Sequence, residues 1–319
     1  MTARIVVLGA DGFIGRRMLA ALAESGWATP VAGVRRPGTS PAGIERVAVD
    51  ATDPASLKSA LAGAQGVINC VAGSAAAIVA NARALAEAAP GAALVYLSSM
   101  AVYGSATGRI DETAPLAGDT GPYAAAKVAA ERVLAAHGRA VLLRPGIVYG
   151  PGSTQWSGRI ARWLQSGRIG DLGAAGDGIC NLVHVDEVAA AALAALRSPP
   201  ASATAMAFNL GSQDPPTWNE YFLHYARALG AVPLRRIPRW QLKLETRLLA
   251  VPLKILELVA GKAGLRGLPL PPPIPPSLLG TFAQEIQLDV SRARAQLGLS
   301  GRPLDEGLAQ TAASYRPHV

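Results

Sequence analysis

The stretch Ile5-Val6-Val7-Leu8-Gly9-Ala10-Asp11-Gly12-Phe13-Ile14-Gly15 decides the fold of this chain. Its first four residues are an apolar, mostly β-branched run typical of a buried strand, and a helical pattern follows from Ile14 to Ser25. The three glycines lie where a tight strand-to-helix turn lets the backbone approach a phosphate group. The stretch therefore predicts the first βα unit of a phosphate-binding α/β sheet.

The remainder of the first half repeats this alternation of strand and helix. Strands are predicted at Arg4–Leu8, Pro30–Val34, Glu45–Val49, Val67–Val71, Ala93–Ser98 and Ala140–Leu143. Helices are predicted at Ile14–Ser25, Pro54–Ala62, Ala76–Ala89, Tyr123–His137 and Asp186–Arg197. Continuous apolar strands alternating with helices predict a Rossmann-type, doubly wound parallel sheet.

After about Tyr149 the alternation loosens, which indicates a smaller, mostly helical substrate domain. We expect the dinucleotide-binding domain to comprise residues 1–150 and about 179–212, and the substrate-binding domain to comprise about 151–178 and 213–319. A chain of 319 residues is long enough for both.

Composition excludes several classes of protein. Half of the residues are hydrophobic and 16% are charged, which excludes a disordered chain. The two cysteines and four scattered histidines form neither a disulfide framework nor a metal-binding pattern, so no metal is expected. Nothing at the N-terminus resembles a signal peptide, and a cytoplasmic protein is expected.

Two arginines, Arg35 and Arg36, follow the second predicted strand. An acidic residue at this position would bind the ribose hydroxyls of NAD, whereas guanidinium groups suit the 2′-phosphate of NADP. We therefore expect NADP as the cofactor, with NAD as the alternative. Asp50 is placed to accept a hydrogen bond from the adenine amino group, and Asp53 to cap the helix at Pro54.

Tyr123 and Lys127 are four residues apart and share one face of a predicted helix. An ammonium group near a phenol lowers its pKa toward the range where tyrosine can act as an acid or base. The preceding strand ends at Ser98-Ser99, whose hydroxyl could hold a substrate oxygen. This arrangement predicts hydride-transfer chemistry at an alcohol or ketone carbon.

The chain resembles the extended short-chain dehydrogenases/reductases of the NAD-dependent epimerase/dehydratase family. The resemblance is carried by the glycine loop, Leu97–Gly104, Tyr123–Lys127, Arg144–Gly152, Leu182–Val188 and the closing segments Leu288–Gly298 and Glu306–Leu308. It implies that Ser99, Tyr123 and Lys127 are catalytic. The predicted cofactor-binding residues are Gly9, Gly12, Phe13, Ile14, Gly15, Arg35, Arg36, Asp50, Ala51, Val71, Ala72, Gly73, Tyr123, Lys127, Pro145 and Val148. The predicted substrate-binding residues are Ser74, Trp156 and Arg159.

The sequence departs from the family pattern at the helix that follows Ser74. Ile78 stands where the family places an asparagine, and Asn81 comes about one turn later, so a proton relay through Asn81 is not expected. His184 lies in an apolar strand, and we expect it to be a packing residue.

A basic, apolar segment is the least familiar part of the sequence. Residues 232–266 contain eight basic and two acidic side chains and carry +6 of the net charge of +8. Within it, 238–260 has a wide apolar helical face interrupted at Pro252. Three interpretations stay open: peripheral membrane contact, steering of a phosphorylated substrate, and a lid or dimer helix. Nucleic acid binding is not expected.

These features predict an NAD(P)-dependent oxidoreductase or epimerase that acts on a small molecule and forms a homodimer. The resemblance favours a nucleotide sugar as the substrate. The alternative is a hydrophobic alcohol or ketone, as in the hydroxysteroid dehydrogenase and dihydroflavonol reductase branches. A protein of another class, a non-catalytic NADP-binding sensor, would keep the fold without turnover.

Overall fold

Short apolar runs form the strands of this protein, and Ala- and Leu-rich segments form its helices. The computed structural model describes residues 2–36, 38, 43–89, 91–199, 204–246, 252, 256 and 273–315. The strands are β1 Ala3–Leu8, β2 Ala28–Val34, β3 Glu45–Ala48, β4 Gly66–Asn69, β5 Ala93–Leu97, β6 Gly108–Ile110, β7 Ala140–Pro145, β8 Ile147–Tyr149, β9 Leu182–His184, β10 Met206–Leu210 and β11 Ile286–Leu288. The helices are α1 Phe13–Glu24, α2 Pro54–Ala60, α3 Ala75–Ala88, α4 Pro122–Leu134, α5 Arg159–Gln165, α6 Val185–Arg197, α7 Trp218–Ala228, α8 Arg239–Leu244, α9 Ser277–Phe282, α10 Ser291–Leu297 and α11 Leu304–Ser314.

Seven strands form one parallel sheet in the order β10-β7-β5-β4-β1-β2-β3. Chain connections run outward in both directions from the neighbouring pair β1 and β4, which is the switch point of a doubly wound sheet. Every residue of β4, β5 and β7 is buried, as expected for strands covered on both faces. The predicted Rossmann-type sheet is confirmed.

Helices cover both faces of this sheet. On one side α3 packs against α2 and α4, and on the other α1 packs against α6. Residues at the N-termini of these helices favour helix initiation near the positions that the sequence predicts. Asp53 accepts a hydrogen bond from the Ser56 N–H at 2.8 Å at the start of α2, and Pro122 occupies the first turn of α4.

The chain divides into two compact units. Unit 1 comprises residues 1–146, 183–213 and 288–301, and it contains the seven-stranded sheet. Its last segment includes α10, whose Arg292 guanidinium carbon lies 5.1 Å from the centre of the Phe208 ring. Residues 288–301 thus belong to the unit that contains the sheet, whereas their position in the sequence predicts the substrate-binding domain.

Unit 2 comprises residues 147–182, 214–287 and 302–319. Its core is rich in aromatic rings, with Trp218 at 4.8 Å from Phe282 and 5.8 Å from Phe222 between ring centres. Helix α7, which supplies Trp218, begins with a capping box between Thr217 and Glu220.

The basic, apolar segment is only partly described. Residues 239–246 form α8 and a following turn, whereas 247–251, 253–255 and 257–272 lie outside the described residues. Among the described helices, none is both long and apolar enough to cross a membrane.

Candidate functional site

The glycine loop joins β1 to α1 with very little space around it. Gly9 has a φ of +72°, and a Cβ at this position would lie 2.9 Å from the backbone C and O of Cys70. A Cβ at Gly15 would collide with the carbonyl oxygen of Gly9. Glycine is therefore required at both positions, because the loop, β4 and α1 meet there backbone against backbone.

The loop fits a dinucleotide. Helix α1 begins after Gly12 and has no side chain capping its first turn, so its N–H groups face outward with the positive end of the helix dipole. Phe13 and Ile14 form the first turn of α1. The loop lies after β1, at the switch point of the sheet, where parallel α/β proteins bind nucleotides. A pyrophosphate would be held here by backbone N–H groups.

An ion pair that no sequence motif predicts lies at the loop. The Arg46 guanidinium on β3 donates to both carboxylate oxygens of Asp11 at 2.9 Å. Arg16 donates to the Asp11 carbonyl oxygen at 2.7 Å. Arg35 and Arg36 are exposed just after β2. Four guanidinium groups therefore belong to the elements that surround the loop, although no motif links Arg46 to it in sequence.

The predicted adenine-binding residue, Asp50, has partners of its own. Its Oδ1 accepts hydrogen bonds from the N–H and hydroxyl of Thr52 at 2.9 and 2.7 Å. These bonds, and to a smaller extent the Arg35 charge, lower the pKa of Asp50. The neighbouring Ala51 carbonyl accepts a hydrogen bond from Asn81 at 2.7 Å, and Asn81 in turn accepts one from Asn69 at 2.8 Å. Asn81 is thus a buried structural link.

The connection from β4 to α3 is exposed and short. Ala72, Gly73 and Ser74 are exposed and Val71 is partly buried. Ser74, a predicted substrate residue, caps α3 by accepting a hydrogen bond from the Ala77 N–H at 3.3 Å. The cap uses one lone pair of the hydroxyl, so the Ser74 O–H can still act as a donor.

The structure brings Ser99, Tyr123 and Lys127 together. The Ser99 side chain lies near enough to the Tyr123 phenol to lower its pKa, although 23 residues separate them in sequence. Nearly half of Tyr123, 48%, is exposed, whereas Lys127 is only 4% exposed. The Lys127 ammonium donates to the Leu97 carbonyl at 2.5 Å and lies 5.9 Å from the centre of the Tyr123 ring. An exposed phenol thus lies beside a buried cation.

Desolvation is the dominant influence on the protonation of this cluster. It raises the pKa of Tyr123 and outweighs the hydrogen bond with Ser99, which lowers it. Desolvation lowers the pKa of Lys127 to about 8, against the Glu131 charge, which raises it. At neutral pH the phenol is therefore protonated, and the lysine titrates just above the physiological range.

A buried ion pair that no sequence motif predicts, Glu131–Arg144, lies next to this cluster. Glu131 accepts from Arg144 Nη2 at 2.6 Å and from the Ser98 hydroxyl at 2.5 Å. Arg144 also donates to the Tyr103 hydroxyl at 2.8 Å. Glu131 is four residues after Lys127, one helical turn along the buried side of α4. A lone acidic residue on that side of an Ala-rich helix was the available signal.

Four predicted residues remain, two for the cofactor and two for the substrate, and each lies on a different element. Pro145 ends β7 in unit 1. Val148 is buried in unit 2, and Trp156 lies in a π-helical turn, Thr154–Gly158, with its ring 5.7 Å from that of Trp218. The Arg159 guanidinium carbon lies 5.9 Å from the centre of the Trp163 ring.

His184 is fully buried and caps α6, where it forms a capping box with Glu187. No cluster of His, Cys, Asp or Glu suited to a metal ion occurs among the residues that the structure describes.

Comparison with known proteins shows the family of this chain. The family model described as "NAD dependent epimerase/dehydratase family" matches residues 5–211. A ceramide reductase from Caulobacter vibrioides is 31% identical over 251 residues, which are 73% of this chain and 73% of that protein. A 3-diazoavenalumate denitrifying reductase from a Streptomyces species is 30% identical over 262 residues, with 74% and 84% covered.

Solved structures share the fold. The UDP-glucuronic acid 4-epimerase of Bacillus cereus in complex with NAD superposes with a TM-score of 0.71 and covers 98% of each chain, at 16% identity. That low identity supports the fold alone, whereas the family match extends over most of this chain. The protein belongs to the NAD-dependent epimerase/dehydratase family and is a nicotinamide-dependent oxidoreductase or epimerase of the extended short-chain dehydrogenase/reductase type.

Proposed function

We propose that this protein is an NADPH-linked reductase of a ketone on an apolar substrate, with Tyr123 as the proton donor. The observation that carries this proposal is the grouping of Ser99 and Tyr123 beside the buried Lys127, whose ammonium lies 5.9 Å from the centre of the Tyr123 ring. A tyrosine has an ordinary pKa of about 10, and that of Tyr123 is raised, so its phenol is protonated at neutral pH and can give the proton that a carbonyl reduction requires.

Each side chain has a distinct part in the proposed reaction. When bound, NADPH supplies the hydride that forms the new C–H bond at the carbonyl carbon. Tyr123 donates its phenolic proton to the carbonyl oxygen, so that the C=O double bond becomes an alcohol. Ser99 donates a hydrogen bond to the same oxygen. The Lys127 ammonium stabilises the remaining phenolate until a proton from solvent restores the phenol.

The two curated relatives support the choice of substrate class. Both are reductases, and neither name refers to a nucleotide sugar. Ceramide, in the name of one, is an apolar lipid. These relatives share 31% and 30% identity with the chain, which is closer than the UDP-glucuronic acid epimerase at 16%.

The cofactor preference for NADP rests on the exposed Arg35 and Arg36 after β2. Arg46, held near the glycine loop by Asp11, adds a third cation on the adjacent strand. An acidic residue at the end of β2, which would favour NAD, is not present in the stretch Val34-Arg35-Arg36.

A nucleotide sugar is the second candidate substrate. Trp156 and Arg159 suit stacking on a ring and binding an anion, and both are partly exposed in unit 2. Oxidation or epimerisation of a nucleotide sugar would use the same three residues, with Tyr123 acting as a base. A homodimer and a cytoplasmic location are also proposals.

The test is oxidation of NADPH by the purified protein with long-chain aliphatic ketones, aromatic ketones and UDP-sugars as probes. We expect turnover with an apolar ketone and its loss by at least about 100-fold in Tyr123→Phe, since general acid catalysis typically contributes that much. Ser99→Ala should also lose activity, whereas Ser105→Ala, a serine of the following exposed loop, should not.

Turnover only with UDP-sugars would show that the second candidate, a nucleotide sugar, is the better choice of substrate. If Tyr123→Phe keeps wild-type turnover, the proposed mechanism is wrong. Absence of turnover with every probe, while the wild type and Tyr123→Phe both still bind NADPH, would instead support a cofactor-binding sensor.

A further inference from the structure

Helix α8 has one buried side and one exposed side. Leu242 is 4% exposed and belongs to the core of unit 2, and Thr246, in the turn after the helix, is 1% exposed. On the opposite side, Trp240 is 68% exposed and Leu244 is 38% exposed. An indole with two thirds of its surface in water is unusual, because aromatic rings supply much of the apolar area that folding buries.

The orientation of α8 is held by contacts on its buried side. The Glu245 carboxylate forms an ion pair with Arg168, and both side chains are nearly buried. The Thr246 hydroxyl donates to the Leu242 carbonyl oxygen at 2.8 Å. Because these contacts hold the end of the helix, Trp240 is kept on the outside.

Basic side chains surround Trp240 in sequence and are exposed with it. Arg235, Arg236, Arg239 and Lys243 are all exposed, and residues 232–244 contain no acidic residue. Arg236 is paired with Asp171 at 2.8 Å. We define the α8 face as Arg239, Trp240, Lys243 and Leu244. It combines exposed cations with an exposed indole and an aliphatic side chain.

This combination matches the surface of an anionic membrane. Cations are attracted to anionic phospholipid headgroups, and tryptophan prefers the depth where headgroups meet acyl chains. A nucleic acid would also attract the cations, but it would leave Trp240 and Leu244 without an apolar partner unless its bases were unstacked. The apolar side chains therefore favour lipid.

We propose that the α8 face docks unit 2 onto the surface of anionic phospholipid membranes. The benefit of docking, access to an apolar substrate dissolved in the bilayer, rests on the proposed function, whereas the docking itself does not. Binding to vesicles and turnover of a water-soluble ketone are therefore measured separately, so that either can fail without the other.

The test is co-sedimentation of the full chain with vesicles of phosphatidylcholine alone or mixed with phosphatidylglycerol. We expect binding to the mixed vesicles at low salt and its weakening at high salt. The double variant Arg239→Gln/Lys243→Gln should bind about 25-fold more weakly, at about five-fold for each cation removed. The control Lys58→Gln/Arg197→Gln removes two exposed cations of unit 1 and should bind like the wild type.

Tryptophan fluorescence gives a second readout. We expect a blue shift of the wild-type emission on adding mixed vesicles, and its loss in Trp240→Phe, with an unchanged thermal unfolding curve as evidence of folding. The proposal is overturned if mixed vesicles do not bind at low salt, or if the shift persists in Trp240→Phe. Equal weakening by the two double variants, or binding to polyuridylate but not to vesicles, would overturn it as well.

Discussion

Replacing Glu131 with Gln leaves the Arg144 guanidinium without its counter-charge at a nearly buried position. The two side chains are 2% and 6% exposed, and Arg144 makes contacts of 2.6, 3.0 and 3.2 Å with the Glu131 carboxylate. Breaking one partner of a buried pair costs about 3–5 kcal/mol. Glutamine keeps one acceptor oxygen, so we expect a loss near the lower end of that range.

Urea denaturation followed by far-ultraviolet circular dichroism measures this loss. The matched control is Glu306→Gln, which removes the exposed partner of the Arg302–Glu306 pair at 3.4 Å and should change stability by less than about 1 kcal/mol. A double variant, Glu131→Leu/Arg144→Met, should recover much of the lost stability because no charge is left buried. A Glu131→Gln protein within about 1 kcal/mol of wild type, with the same dependence on urea, would refute the reasoning.

The same substitution has a kinetic consequence. The Glu131 charge raises the pKa of Lys127, against the desolvation that lowers it to about 8. Removing that charge lowers the pKa of Lys127 further. The fall in rate on the alkaline side of the pH profile should therefore move to lower pH in Glu131→Gln. If it stays at the wild-type pH, the Glu131 charge does not influence the titration that limits the reaction.

The other predictions concern the cofactor site and the catalytic lysine. In the wild type, the rate of reduction should fall as pH rises through about 8, because Lys127 then loses the proton and with it the positive charge that stabilises the phenolate. A rate that does not change between pH 7 and pH 9 would contradict this. Gly15→Ala should lower NADPH affinity at least about ten-fold by equilibrium titration, because a Cβ there meets backbone, whereas Gly91→Ala has open space and should bind normally. Arg35→Ala and Arg36→Ala should each weaken NADPH binding by about 1–2 kcal/mol and leave NADH binding unchanged; equal losses for both cofactors would remove the NADP preference.

Local patterns in the sequence were sufficient to predict the sheet and the cofactor loop. The run Ile5–Gly15 predicts a strand, a tight turn and a helix start from side-chain pattern and glycine spacing alone. The four-residue spacing of Tyr123 and Lys127 places both on one side of a helix without further information. Because these features depend only on residues that are close together in the sequence, the sequence alone determines them.

Tertiary structure decided the contacts between residues far apart in the chain. Ser99 reaches Tyr123, Glu131 pairs with Arg144, and Asp11 pairs with Arg46 on a strand 35 residues away. Whether such groups are paired, and how far burial shifts their pKa values, depends on desolvation by strands and helices packed from other parts of the chain. The exposure of Trp240 is of the same kind: the sequence shows an apolar, basic segment, and only the packing of Leu242 and Glu245 decides which side of it faces water.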